Sequence, residues 1–209
     1  MIRCVLLDAL GTLVELEPPW QHLARELGVE PDQGVEGAFR AEMRYYRDHS
    51  DEGRDAGSLA ELRRRCAAVL SAELGREVPV ERMMDSIRFR AFPDAPPALA
   101  ALRRLGVRLV CVSNWDYSLP EVLQRVGIGE ALDGVVTSAS VGARKPDPRI
   151  FEAGLELAGC AAAEALHVGD TPAEDVAGAH AANIRAVLID RGGGGDIESL
   201  DAIRHHLDL

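Results

Sequence analysis

Basic charge is what this chain has too little of: 23 lysines and arginines stand against 34 aspartates and glutamates, for a net charge of −11. That balance argues against broad electrostatic binding of nucleic acid or of an anionic membrane, and leaves room only for a local basic site such as a phosphate pocket. Cysteine is sparse as well. Cys4, Cys66, Cys111 and Cys160 are widely scattered and lack metal-ligand spacing. Cys4 and Cys111 fall inside apolar runs, where a buried thiol is the expected state, so the chain reads as reduced and cytoplasmic. The N-terminus carries one arginine and few apolar residues before Asp8 interrupts, which predicts neither a signal peptide nor a membrane span. No internal repeat is evident.

What is present is enough apolar material for a core. With 209 residues, 47% of them hydrophobic, the chain can build one large interior, or a core with a small satellite. Short apolar runs at Cys4–Leu7, Leu109–Val112, Val135–Thr137, Ala165–Gly169 and Ala186–Ile189 alternate with helical patterns. This predicts an α/β fold with buried parallel strands and crossover helices. Between about Pro18 and Ala91 the pattern is helical alone. Val35, Phe39, Met43 and Tyr46 recur at helical spacing, as do Leu59, Leu62, Cys66, Val69 and Leu70. Residues 17–92 therefore read as an inserted helical cap, and residues 1–16 and 93–209 as the core.

Phe92 to Pro97 reads as a proline-stiffened return linker, with the next helix starting near Ala98. Ser118 with Glu121, and Thr171 with Glu174, fit capping boxes at two helix starts. The run Gly192–Gly195 reads as a flexible loop, because it lacks the strand-to-helix setting of a phosphate cradle. The two crossings between modules, near Glu15–Pro18 and Phe92–Pro97, are the expected hinges of a gating motion.

Four polar residues stand where apolar runs give out: Asp8, Ser113 and Asp170 directly, Lys145 after a loop. Ligands of open parallel sheets bind beyond the carboxyl ends of the strands, so these side chains should converge on one crevice. Aspartate can act as a covalent nucleophile in phosphoryl transfer. A carboxylate approaching an anionic phosphate needs neutralising charge, which a lysine and a divalent cation supply, and donors to hold the transferring oxygens.

Leu7-Asp8-Ala9-Leu10-Gly11-Thr12-Leu13, Val112-Ser113-Asn114, Arg144-Lys145-Pro146-Asp147, and Val168-Gly169-Asp170 through Asp175 together resemble the haloacid dehalogenase-like hydrolase superfamily. The resemblance spans nearly the whole chain. It implies a Rossmann-like three-layer core with a helical cap, and hydrolysis through an aspartyl-enzyme intermediate, usually with Mg²⁺. It further implies Asp8 as nucleophile, and Thr12 and Ser113 as ligands of the transferred group, with Asn114 beside them. Lys145 would neutralise charge. Mg²⁺ would be held by Asp8, the Leu10 carbonyl and Asp170, with Asp175 helping directly or through water. A small-molecule substrate, phosphorylated or halogenated, and a monomer or homodimer are the matching expectations.

Leu10 departs from the pattern, because phosphatase members carry a second aspartate there as acid and base. Three readings stay open. The first is a phosphatase slowed by the loss. The second is a dehalogenase, whose halide leaving group needs no proton, with Arg40 as the cap arginine assisting its departure. The third is a binding protein that has lost activity. The Gly169-Asp170 pair favours the metal-dependent phosphatase form, and Phe151 stands where dehalogenases usually place tyrosine.

Overall fold

Residues 1–207 are described by a computed structural model. Its strands are β1 (Cys4–Leu7), β2 (Val14–Leu16), β3 (Phe89–Ala91), β4 (Arg108–Ser113), β5 (Gly134–Thr137), β6 (Ala165–Gly169) and β7 (Arg185–Leu188). Five of them make one parallel sheet in the order β5-β4-β1-β6-β7, from the five apolar runs seen in the sequence. The α/β expectation holds.

The sheet is covered on both faces, which is why its central strands are apolar at every position rather than at alternate ones. Along β1, Val5 and Leu7 join one buried cluster with Leu109, Cys111, Leu166 and Val168. Cys4 and Leu6 join a second with Val110, Val112 and Ala165. Leu6 and Leu7 are both fully buried, and truncating either to alanine would cost about 2–5 kcal/mol. In register, Leu7 lies level with Cys111 on one side and Val168 on the other. The residues just past these strand ends therefore meet at a single edge of the sheet.

Helices α1 (Pro19–Leu27), α2 (Gln33–His49), α3 (Ala56–Leu74) and α4 (Val80–Ser86) follow β2. They enclose their own cluster, with Leu23, Phe39, Leu62, Leu70 and Met83 at its centre. The apolar stripes expected on α2 and α3 are the faces that build it. Asp32 caps α2 by accepting from the Val35 amide, and Asp55 with Ser58 closes a capping box on α3.

The remaining helices are α5 (Ala95–Arg104), α6 (Leu119–Arg125), α7 (Ser138–Val141), α8 (Pro148–Ala158) and α9 (Ala177–Ala181). A short 3₁₀ segment at Leu200–His206 contains His205 and His206. Among the described residues no helix is long and apolar enough to cross a membrane.

Several local expectations are corrected. The stretch from Pro18 to Ala91 is not helical throughout: β3 pairs with β2 as an antiparallel ribbon that binds the two crossings together. Helix α5 begins at Ala95, earlier than expected, because Pro96 and Pro97 occupy its first turn. Proline is tolerated there since those amides have no intrahelical acceptor. Neither predicted capping box forms at residues 118 or 171. Carboxylates replace them: Asp116 accepts from the Ser118 amide at 2.7 Å, and Asp175 from the Thr171 amide at 3.0 Å. The chain is also not fully reduced. Cys4 of β1 is disulfide-bonded to Cys160, just past α8, leaving Cys66 and Cys111 as buried thiols. At a sequence separation of 156, this pair has no sequence signature, and only the docking of α8 on the sheet brings it together.

Candidate active site

Asp8 follows β1, and its amide donates to the Val168 carbonyl at 2.9 Å. The strand ladder thus continues to the residue that carries the carboxylate. Ser113 ends β4 beside Asp8, and its side chain favours the charged form of that carboxyl. Lys145 arrives from the loop between α7 and α8, almost fully buried. Its Nζ donates to Asp8 Oδ1 at 2.5 Å and to Asp175 Oδ1 at 2.6 Å. Asp170 follows β6 with its carboxylate open to solvent.

Two glycines make this packing possible. At Gly11, a Cβ would sit 2.1 Å from Asp170 Oδ2, and the backbone there is left-handed. At Gly169, a Cβ would lie 2.1 Å from the Asp175 carboxyl carbon. Any side chain at either position would push a carboxylate out of the cluster.

The electrostatics follow from three acids sharing one ammonium. Burial pushes the Asp8 carboxyl up from its ordinary value, opposed by Lys145, while the Asp175 charge adds to the rise. Asp170 is pushed up to about 6, first by partial burial and then by the charges of Asp8 and Asp175. Asp175 goes the other way: burial works against its charged form, but Lys145 and His167 hold it well below the usual carboxylate range. Burial disfavours the Lys145 ammonium, yet the two carboxylates beside it raise its pKa. One acceptor oxygen from each of Asp8, Asp170 and Asp175 lies within 4.8 Å of the others. An all-oxygen donor set with a surplus of negative charge suits a hard divalent cation such as Mg²⁺.

Asp175 is already engaged through both oxygens. Oδ1 accepts from Lys145 and faces His167 Nε2 at 2.8 Å, and Oδ2 accepts from the Thr171 amide. The fully buried His167 ring rests edge-on against Phe151. Asn114 is similarly committed: its amide nitrogen donates to the Lys145 carbonyl and to Glu174, and its oxygen accepts from the Lys145 amide at 2.7 Å. It lines the site while bracing the loop that delivers the lysine.

Of the expected site residues, Asp175, Thr12 and Arg40 do not line the cavity, although Asp175 stays bonded to Lys145. Thr12 is fully buried with its hydroxyl unpartnered, and its carbonyl accepts from Arg191 at 2.8 Å. Arg40 points to solvent, paired with Glu36 at 2.6 Å and stacked over Trp20.

A cavity of about 530 Å³ opens over this cluster, between the sheet edge and the helices α2 to α4. Its floor includes Asp8, Leu10, Ser113, Lys145 and Asp170, and its roof includes Glu42, Tyr46, Arg63, Cys66 and Met83. Trp115 and Asp116 line it, as their position after Ser113-Asn114 suggests. Tyr46 donates to Asp116 at 2.7 Å, and Trp115 packs against Phe89 of β3. Glu42, Tyr46, His167 and Arg191 escape sequence reasoning, because each sits in an ordinary helix, strand or loop pattern with no motif around it. For Glu42 a signal existed: it is a charged residue on the apolar stripe of α2.

Residues 2–183 match the family model described as haloacid dehalogenase-like hydrolase. The chain belongs to the haloacid dehalogenase-like hydrolases. Haloacid dehalogenase-like hydrolase domain-containing protein 3 of Mus musculus is 32% identical over 208 residues, which takes in 90% of this chain and 82% of the mouse protein. A phosphoserine phosphatase of Thermus thermophilus is 39% identical over 121 residues, 57% of this chain and about half (49%) of that relative. A glyceraldehyde 3-phosphate phosphatase of Methanopyrus kandleri is 30% identical over 207 residues, covering 95% and 88%. Among solved structures, a HAD phosphatase of Thermococcus onnurineus superposes with a TM-score of 0.70 at 26% identity, over 99% of this chain and 98% of its own. The L-2-haloacid dehalogenase of Xanthobacter autotrophicus reaches 0.75 at 19% identity, over 98% of each chain, a likeness of fold alone. Both branches of the family thus share this architecture, and only the site residues can separate them.

Proposed function

We propose that this hydrolase is a Mg²⁺-dependent phosphatase acting on a small phosphate monoester through an aspartyl-phosphate at Asp8. The observation that carries this reading is the Asp8–Lys145–Asp170 cluster, which has more carboxylate than its single ammonium can neutralise. Mg²⁺, held by Asp8, Asp170 and the Leu10 carbonyl, would supply charge neutralisation to the phosphate oxygens. Asp175, with both oxygens already engaged, is better read as the residue that orients Lys145. The phosphatase names of the Thermus and Methanopyrus relatives agree with a phosphate ester as substrate.

In the first step an Asp8 carboxylate oxygen forms a bond to phosphorus. The ester P–O bond breaks, and its electron pair leaves on the alcohol oxygen, which takes a proton from water. In the second step water attacks phosphorus, the bond from phosphorus to the Asp8 oxygen breaks with its electron pair restoring the carboxylate, and phosphate leaves as the attacking water's proton passes to solvent. Lys145 holds Asp8 in place and offsets the charge that builds up, and the Ser113 hydroxyl is positioned to donate to a transferring oxygen. Leu10 supplies neither acid nor base, so a leaving group stable as an anion suits this site. The dehalogenase reading is weakened by Arg40, which is bound to Glu36 on the outside of the cap.

The division into a core (1–16 and 93–209) and a cap (17–92) belongs to the same proposal, with the cap covering the bound ester. The test is phosphate and halide release with and without Mg²⁺. Wild type should release phosphate only with Mg²⁺, and Asp8→Asn should lose all turnover. Halide release from a 2-haloacid in EDTA would overturn the reading.

A further inference from the structure

An arginine outside the cavity holds the backbone that leaves Asp8. There the chain turns back on itself: the amides of Thr12, Leu13 and Val14 all donate to the Ala9 carbonyl, at 3.3, 2.8 and 2.9 Å. Gly11, at φ +86° and without a Cβ, is the least restrained residue of this turn. Its amide donates to the Val14 carbonyl at 2.8 Å, which fixes the plane of the peptide that carries the Leu10 carbonyl. The next two peptide planes are held from both edges. Their amides, of Thr12 and Leu13, donate to Ala9. Their carbonyls, of Gly11 and Thr12, accept from Arg191 Nε at 3.4 Å and Nη2 at 2.8 Å. Arg191 is fixed on its other sides too. Nη1 donates to the Asp94 oxygens at 3.1 and 3.0 Å, and the guanidinium lies 3.6 Å over the Phe92 ring. Asp94 Oδ2 also accepts from the Ser199 hydroxyl and the Leu200 amide, at 2.9 and 2.8 Å. A planar fork constrained in this way presents Nε and Nη2 to the turn in one orientation. Arg191 does not line the cavity, so it touches no substrate there.

We propose that Arg191 is a positioning residue for the metal site: by clamping the Gly11 and Thr12 carbonyls it keeps the Leu10 carbonyl in place as a ligand. The inference rests on the Mg²⁺-dependent phosphatase reading, and names a residue on which that site's metal affinity depends. Removing a group that orients a metal ligand typically costs about 10–100-fold in affinity. The sign of the effect separates positioning from charge. Arg191 is a cation on the loop that follows Asp8, so by charge alone its loss would tighten the binding of Mg²⁺. Loss of the clamp weakens it instead, because Gly11 no longer holds the turn in one conformation.

The experiment is calorimetric titration of the metal-free full chain with MgCl₂, for wild type, Arg191→Met and Arg191→Lys, with a thermal melt of each. Arg191→Met keeps an apolar stem over Phe92 but no donor, and should bind Mg²⁺ at least about tenfold more weakly. Arg191→Lys keeps the charge without the fork, and should fall between that variant and wild type. Excess Mg²⁺ should restore most of the p-nitrophenyl phosphate hydrolysis that Arg191→Met loses at limiting metal. A merely structural defect would show no such recovery, and its absence counts against the proposal. A folded Arg191→Met that binds Mg²⁺ as tightly as wild type, or more tightly, overturns it. So does the failure of both variants to fold, which would make Arg191 a residue of stability alone. Should only Arg191→Met unfold, Arg191→Lys decides, and wild-type affinity in that variant overturns the proposal. The wild-type titration separates the two failures. No binding of Mg²⁺ there would count against the phosphatase reading, whereas binding that the variants leave unaltered would sink the Arg191 assignment alone.

Discussion

At the scale of single residues, Leu10 and Glu42 each set an expectation that their neighbours do not. Leu10 stands at the cavity floor beside Asp8, where a carboxyl could serve the leaving alcohol and then the attacking water. General acid–base catalysis is typically worth about 10²–10⁴-fold. Leu10→Asp should therefore raise kcat for alkyl phosphates by at least about tenfold, and much less for p-nitrophenyl phosphate, whose leaving group needs no proton. Steady-state kinetics on the two substrates checks this, and equal effects on both would contradict it. Glu42 bears on stability. Burial raises its carboxyl to about 7 from an ordinary 4.5. Between those values the folded chain keeps a proton that the unfolded chain has lost. The stability tied to this proton is complete below the ordinary value and disappears as the pH rises through about 7. Glu42→Gln should match wild type near pH 4 and exceed it near pH 8 by on the order of 3 kcal/mol in urea unfolding. A difference that does not change with pH would refute the burial argument.

At the scale of elements, the sheet was legible because buried parallel strands announce themselves as short runs of uninterrupted apolar residues. Their ends then located Asp8, Ser113 and Asp170 without further information. The β2–β3 ribbon was not legible, since three residues from each crossing carry no pattern of their own. The two false capping boxes share one cause. Asp116 and Asp175 lie close in sequence to those helix starts and take the Ser118 and Thr171 amides that Glu121 and Glu174 would have accepted from. The Cys4–Cys160 bond was hidden because β1 and the end of α8 become neighbours only through the tertiary fold. It makes a countable prediction: thiol titration of the denatured, unreduced protein should find two free cysteines, Cys66 and Cys111. Cys160→Ser should lower stability by about 2–5 kcal/mol, chiefly by freeing a long loop of the unfolded chain. Four titratable thiols would rule the bond out.

At the scale of the whole molecule, the helices between β2 and β3 are fastened to the rest of the fold from several sides. Arg144, the neighbour of Lys145, donates to the Arg47 carbonyl at 2.7 Å, the Tyr117 amide donates to the Gly53 carbonyl at 2.9 Å, and Tyr46 reaches Asp116. At the crossings, Arg191 joins the Gly11-Thr12 backbone to Asp94 and lies 3.6 Å over the Phe92 ring. The loop that follows the nucleophile is thereby tied to the chain's return from the cap. Such ties explain why the sequence showed the site's floor but not its roof. Floor residues sit at strand ends and can be placed from local pattern, whereas roof residues acquire meaning only once the helices dock. The central claim is that this docking makes Asp8 a nucleophile toward phosphorus. Its most direct test is acid quench during turnover of a phosphate ester, borohydride reduction, and mass mapping of the tryptic peptide that contains residue 8. Our account predicts reductive conversion of Asp8, dependent on substrate and Mg²⁺; phosphate release with Asp8 unconverted would contradict it.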